Sequence, residues 1–424
     1  MRTLSSPHAR RLSGLAAPLA ALALLAAPAP AAAQAVGLVC TTGAAGAPTF
    51  NLTARPGYIT LPDANTMFMW GYAAGDGPFQ HPGPVLCVTQ GDTVTVVLKN
   101  LLPEPVSIMF PGQEGVTANG SPAQPQWSGA TLTSLTDTAP PGGSVTYSFV
   151  AGRPGTFVYE SGTAPHKQVR LGLFGALVVR PADPARMNAR ADSTFTPGEE
   201  FMVLLSEIDP YLHQAVEAGR TFNMNNYHPR YWMLNGRGFP DTVADNFVDW
   251  LPSQPYGALA RIHPFDPTGH PWPGSIRYLN VGSESFPFHP HGNNGLVIGR
   301  DGRALESATG QDLSFEKFAV NVGPGQTWDV LFRWYDAEAY SEANPVPVTV
   351  PDPANLQFGP WYSGSPYLGV LGPLLPNANT LNQCGEYYVI SHNHALFQIT
   401  AWGMTMAGPI TYVRVDPPLP NACP

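Results

Sequence analysis

The chain has 424 residues, a formal net charge of −9, only 12% charged residues, 43 glycines and 47 prolines. Its acidic balance and lack of Lys/Arg clusters exclude nucleic acid as a partner, because phosphate binding needs grouped cations. So much Gly and Pro with so few charges is the make-up of short strands joined by tight turns, and helix-period runs are scarce.

Residues 1–35 have the three-part layout of a cleaved secretory signal: Arg2, Arg10 and Arg11, an apolar stretch over 15–28, and small residues ending at Ala35. The apolar stretch is shorter than the roughly 20 residues of a membrane span and is broken by prolines. A periplasmic or secreted protein is therefore expected, and Arg10-Arg11 allows the twin-arginine route. No later segment is apolar enough to span a bilayer. In an oxidising compartment the four cysteines have three pairings, of which the simplest joins Cys40 to Cys87 and Cys384 to Cys423.

Residues 84–100 predict two alternating strands around a Gly91-Asp92 turn. Further strands at 144–150, 155–159 and 173–179 complete an all-β domain over 36–182. The polar stretch 183–199 reads as a linker. Strands at 201–205, 258–262, 276–281, 295–298, 318–322 and 328–332 make the second domain, 200–424, β as well. Its Pro/Gly/Asn-rich part, 343–383, reads as a long surface loop before the last strands.

The halves look like copies. Asn100 is followed at nine, eleven and twelve positions by Met109, Pro111 and Gly112, and Asn280 at the same offsets by His289, His291 and Gly292. Downstream, residues 140–149 echo 323–332. A repeat of this length argues for two related domains rather than a stacked array.

His289-Pro290-His291 and His392-Asn393-His394 are the sharpest features. Alternate residues of a strand share a face about 6–7 Å apart, so each pair presents two imidazoles to one side. With 11 histidines in the chain, chance would supply fewer than one such pair, and two are present. Neutral imidazoles select copper, zinc, iron or nickel over calcium or magnesium.

Phe286-Pro287-Phe288-His289-Pro290-His291-Gly292 resembles the H-P-x-H-L-H-G motif of multicopper oxidases, and Ser391-His392-Asn393-His394, with Met404 downstream, resembles their closing H-C-H motif and methionine. Residues 81–100 are similar to the strand pair before the family's first ligand motif, and 155–159 with 172–175 bracket its second. The resemblance implies an all-β fold of two cupredoxin-like Greek-key β-barrel domains, copper as cofactor, a small-molecule or oxygen-species substrate and, in two-domain relatives, a homo-trimer that shares its copper cluster between chains.

The departures matter as much. The family's first H-x-H-G is Met109-Phe110-Pro111-Gly112 here, and its H-S-H is Glu160-Ser161-Gly162. Asn393 replaces the cysteine of the blue-copper site, whose histidine partners fall at Phe286 and Gln398. Met404, without a thiolate beside it, reads as a core residue. By position the survivors are His289, His291, His392 and His394. Candidate substitutes are His166, if its loop returns it to the same cavity, and Met109 as a thioether ligand; Glu160 is a candidate ligand or catalytic proton donor. His81, His213, His228, His263 and His270 read as surface or satisfied core residues. The leading expectation is an exported oxidoreductase with a reduced, His-only copper site and no blue-copper centre. The alternatives are a copper carrier without turnover and a metal-free structural or interaction protein of the cell envelope.

Overall fold

A computed structural model describes residues 36–184, 193–335 and 387–421. The segment 1–35, part of the expected linker, all of 343–383, Cys384 and Cys423 lie outside the described residues.

The first half runs β1 (Thr49–Thr60), β2 (Thr66–Ala74), β3 (Leu86–Thr89) and β4 (Thr93–Asn100), then the short β5 (Thr117–Ala118), β6 (Ser121–Pro122), β7 (Gln126–Ser128) and β8 (Thr131–Ser134). It continues with β9 (Ser144–Val150), β10 (Gly155–Glu160), the single helical turn α1 (Pro165–Gln168) and β11 (Phe174–Arg180). A sheet ordered β2-β1-β4-β9-β5-β6 faces a second ordered β10-β11-β3. Burial alternates along β4 and β9, so Val94, Val96, Leu98, Val145, Tyr147 and Phe149 point inward and share one apolar core.

The second half runs β12 (Glu200–Ile208), α2 (Pro210–Glu217), β13 (Tyr231–Leu234), β14 (Ala260–Ile262), β15 (Gly274–Asn280) and β16 (Phe286–Pro290). After these come β17 (Gly295–Arg300), β18 (Arg303–Ala304), β19 (Phe315–Lys317), β20 (Val320–Val322), β21 (Thr327–Phe332), β22 (Tyr387–Asn393) and β23 (Ile410–Val415). One sheet is ordered β13-β12-β15-β21-β17-β18, with β19 on β17; the other is β14-β23-β22-β16-β20. The protein is thus all-β, with two cupredoxin-like domains. No helix among the described residues is long and apolar enough to cross a membrane.

The internal repeat has a physical counterpart at its anchor residues. Asn100 is fully buried at the end of β4; its amide donates to the carbonyls of Glu104 at 2.7 Å and Ala139 at 3.0 Å, and its oxygen accepts from Leu102 N. Asn280, at the end of β15, donates to Glu284 at 2.7 Å and Val322 at 2.8 Å and accepts from Gly282 N. Each asparagine satisfies three backbone groups where the chain leaves one sheet for the other, and a buried group left unpaired there would cost about 1–3 kcal/mol.

Two details differ from the sequence reading. The strands around Gly91-Asp92 form, but they do not pair with each other: β3 joins β11, while β4 joins β1 and β9. The turn is a corner between facing sheets. β1 and β2, absent from the strands expected, make a long antiparallel pair in which Pro56 and Gly57 of β1 mask the alternation. A disulfide joins Cys40 to Cys87 in β3, as one of the expected pairings has it.

The domains meet along an apolar seam that includes Val85, Val158 and Val178 of the first and Met202, Leu204 and Leu279 of the second. A buried ionic network lies beside it. Arg277 on β15 reaches Glu200 at 2.7 Å, Asp329 at 2.9 Å and the Thr156 hydroxyl of the first domain at 2.9 Å, and Arg180 of the first domain reaches Glu200 at 2.6 Å. Burial pushes the Glu200 carboxyl up, but Arg277 and Arg180 together outweigh it and hold the group below its usual range. Two histidines are also buried near the seam. His213 on α2 donates from Nδ1 to the Phe68 carbonyl at 2.6 Å, whereas neither ring nitrogen of His81 has a partner among the described residues. Burial drives His81 down to about 3, and drives His213 to about 4 despite the opposing pull of the Phe68 carbonyl and Asp209.

Arg277→Met takes the cation from Asp329 and leaves Glu200 with Arg180 alone, and we expect a loss of about 3–5 kcal/mol, read from the urea midpoint. An unfolded histidine titrates near 6.5. Between there and about pH 4 the unfolded chain binds protons that buried His81 and His213 refuse, so stability falls as the pH falls. The expected slope is on the order of 1 kcal/mol per pH unit for each histidine, and denaturation at pH 7, 6 and 5 checks it.

Candidate metal centre

β16 and β22 are antiparallel neighbours with Phe288 opposite Asn393, His289 opposite His392 and Pro290 opposite Ser391. Phe286 and Phe288 fill the core face of β16, which leaves His289 and His291 on the other face. The ladder extends past the strand ends: His291 N donates to the Ile390 carbonyl at 2.9 Å, and His394 N to that of Pro287 at 2.7 Å. Gly292 closes the motif with φ at +78°, and a Cβ there would lie 2.8 Å from the Trp334 ring, which is why glycine follows the second histidine.

The four imidazoles therefore converge. Ring centroids lie 4.6 Å apart for His289–His291, 5.1 Å for His291–His392, 5.5 Å for His289–His394 and 5.6 Å for His392–His394. Three of the rings are half-buried and His394 is exposed. Tautomers follow from the backbone. His289 Nδ1 donates to the Phe318 carbonyl at 2.7 Å and His392 Nδ1 to that of Asn393 at 2.9 Å, so both turn an Nε2 lone pair to the cluster. Nε2 of His291 and of His392 stand 3.1 Å apart. Burial, reinforced by His289, His392 and His394, holds His291 down to about 4; burial also lowers His392.

The donor set fits a first-row transition ion. Such an ion binds imidazole nitrogen at about 2.0–2.1 Å, which places two nitrogens of a tetrahedral site about 3.3 Å apart. The His291–His392 spacing is close to that, and neutral imidazole suits copper.

The blue-copper position carries different chemistry. Asn393 is fully buried; its amide donates to Gln398, whose own amide donates to Glu284 at 2.7 Å, and Glu284 also accepts from the Trp232 indole at 2.8 Å. This chain of amides and a carboxylate occupies the place where the family pattern has a thiolate and a histidine. The only cysteines among the described residues are bonded to each other. Met404, expected in the core, is 47% exposed, because the core positions here go to Ile399 and Ala401 while Met404 lies on the turn that bridges back to Ala401.

The other candidates lie elsewhere. Met109 and Glu160 pair with each other across an isolated bridge in the first domain, Met109 N to the Glu160 carbonyl at 2.7 Å. Burial raises the Glu160 carboxyl, and Arg170 opposes it. His166 is exposed on α1. Among the described residues no hydrogen bond or ring contact joins any of these three to the imidazole quartet.

One grouping escaped the sequence reading: Glu199, His263 and His270 meet within 4.8 Å of one another. Nothing in their spacing signalled it, since 64 residues separate the first two.

Residues 76–184 match the family model for multicopper oxidase. Laccase-2 of Cryptococcus neoformans is 34% identical over 303 residues, 67% of this chain and 45% of that protein. Copper resistance protein A of Escherichia coli is 27% identical over 296 residues, 61% of this chain and 44% of that protein. The chain spans less than half the length of the curated relatives it matches. A solved structure titled multicopper oxidase mgLAC superposes with a TM-score of 0.57 at 21% identity, covering 87% of this chain and 86% of that one, which is a likeness of fold. Strand order, motif positions and these matches together make the chain a divergent member of the multicopper oxidase superfamily.

Proposed function

We propose that this chain is an exported copper protein that acts as an oxidoreductase through His289, His291, His392 and His394, without a blue-copper centre. The observation that carries this reading is the pair of Nε2 atoms 3.1 Å apart, one of which belongs to a ring turned by its own Nδ1–carbonyl bond to offer a lone pair. Bound copper would supply one-electron redox chemistry at the cluster. The protein's part is to hold four neutral imidazoles at fixed spacing and to leave one exposed edge, at His394, open to a small substrate or an oxygen species.

Glu160 is the candidate proton donor, since burial favours its protonated form, and Met109 and His166 are candidate further ligands. Their separation from the quartet within one chain favours an interchain site, as in the homo-trimer that the resemblance implies. The mass in solution is then three chains, and a monomer at working concentration would leave all three residues without a role at the copper.

A second reading is favoured by the Asn393–Gln398–Glu284 chain, which stands where electrons would enter a blue-copper oxidase. It makes the protein a copper carrier without turnover. Varied reductants at fixed copper loading separate the two, because only the oxidoreductase consumes reductant catalytically.

Purified protein should bind about one copper per chain with no intense blue absorption, as expected for imidazoles without thiolate. His392→Ala with His394→Ala should weaken copper binding by roughly 100-fold and alter the electron paramagnetic resonance signal. Metal analysis that finds well under one copper per chain in the unmodified protein defeats the proposal.

A further inference from the structure

We propose that Glu199, His263 and His270 form a second metal site, for a divalent first-row ion such as Zn(II), separate from the imidazole quartet. The three come from distinct places: Glu199 precedes β12, His263 follows β14 and His270 closes a turn paired with Asp266. Glu199 Oε1 lies 2.7 Å from His263 Nδ1 and 3.0 Å from His270 Nε2. An ion with nitrogen and oxygen ligands at about 2.0–2.2 Å spaces them about 3.3 Å apart, so the carboxylate and each ring need to part by well under 1 Å, and all three ligand atoms already lie within 4.8 Å of one another. Two imidazoles and a carboxylate are a ligand set used by zinc sites that keep a fourth position open.

The ordinary reading is a latch, in which the carboxylate accepts from both rings and ties the start of β12 to the loop after β14. Two features go beyond that. Glu199 Oε2 and His270 Nδ1 are buried without a hydrogen-bond partner among the described residues, although both residues are more than nine-tenths buried. A latch leaves the second carboxylate oxygen orphaned, whereas an ion held by both oxygens does not. In addition, His263 Nε2 faces Asp416 at 3.6 Å, and Asp416 is itself held by Arg261 at 2.5 Å and Arg414 at 2.7 Å. Asp416 is therefore committed to its guanidiniums, and His263 donates its Nδ1 proton to Glu199; an ion taken up at Nδ1 would leave that ring's proton on Nε2, the nitrogen that faces Asp416. His263 is 20% exposed, which gives an ion a way in. Binding would displace whatever protons the two nitrogens hold against Glu199.

The site cannot share an ion with the quartet. β23 pairs His392 at Ile410 and Ile262 at Val415, so the two clusters occupy opposite ends of one sheet, roughly 17 Å apart along the strand.

The test is a Zn(II) titration, against a competing chromophoric chelator, of full-length metal-free protein carrying His392→Ala with His394→Ala. We expect one Zn(II) per chain, weakened at least roughly 100-fold by adding Glu199→Gln. His263→Gln, which leaves the Glu199–His270 bond in place, should give the same loss in a chain whose circular dichroism is unchanged. No binding in the double variant, or binding that survives both Glu199→Gln and His263→Gln, overturns the proposal.

Discussion

The register of β16 against β22 governs the chemistry of this molecule. Because side chains alternate strictly, a slip of one residue would send the imidazoles into the core and Phe286 and Phe288 out to the site. The two phenylalanines prevent it: each is fully buried, and burying such a ring is worth roughly 1.5–3 kcal/mol. The geometry of the polar site is therefore held by apolar energy on the opposite face. Backbone bonds from His291 to Ile390 and from His394 to Pro287 carry the same register past the strand ends, so all four histidines sit on laddered backbone.

Behind that face the protein has filled the blue-copper position with hydrogen bonds. Asn393, Gln398, Glu284 and Trp232 form a chain that a cysteine could not complete, since a thiol is a weak donor and acceptor. The replacement is a built network, and the cluster in front of it keeps its imidazoles without a thiolate among the described residues.

The two domains repeat one plan down to a buried asparagine at each sheet corner, yet they diverge immediately downstream of that corner. After Asn280 the chain delivers His289 and His291; after Asn100 it delivers Met109 and Pro111, and the first-domain position is a bridge to Glu160 rather than a pair of rings. Between the domains, Arg277 binds Glu200, Asp329 and Thr156 together and Arg180 adds a second cation to Glu200, so the seam combines apolar area with a buried, paired charge network.

Residue order alone carries the all-β class, the repeat, the two His-x-His pairs and the loss of the thiolate, because each is written in local alternation or in residue identity at a motif position. Most strand positions were legible for the same reason; β1 was not, since Pro56 and Gly57 interrupt its alternation. Which strands pair was settled by folding in three dimensions. It sent β3 and β4 to opposite sheets, placed His289 across from His392, left Met404 and His166 exposed, and gathered Glu199, His263 and His270 from segments with no common pattern. Periodicity records which face a residue takes within its own strand. Which strand lies beside it depends on long-range packing, and that leaves no mark in any short stretch of chain.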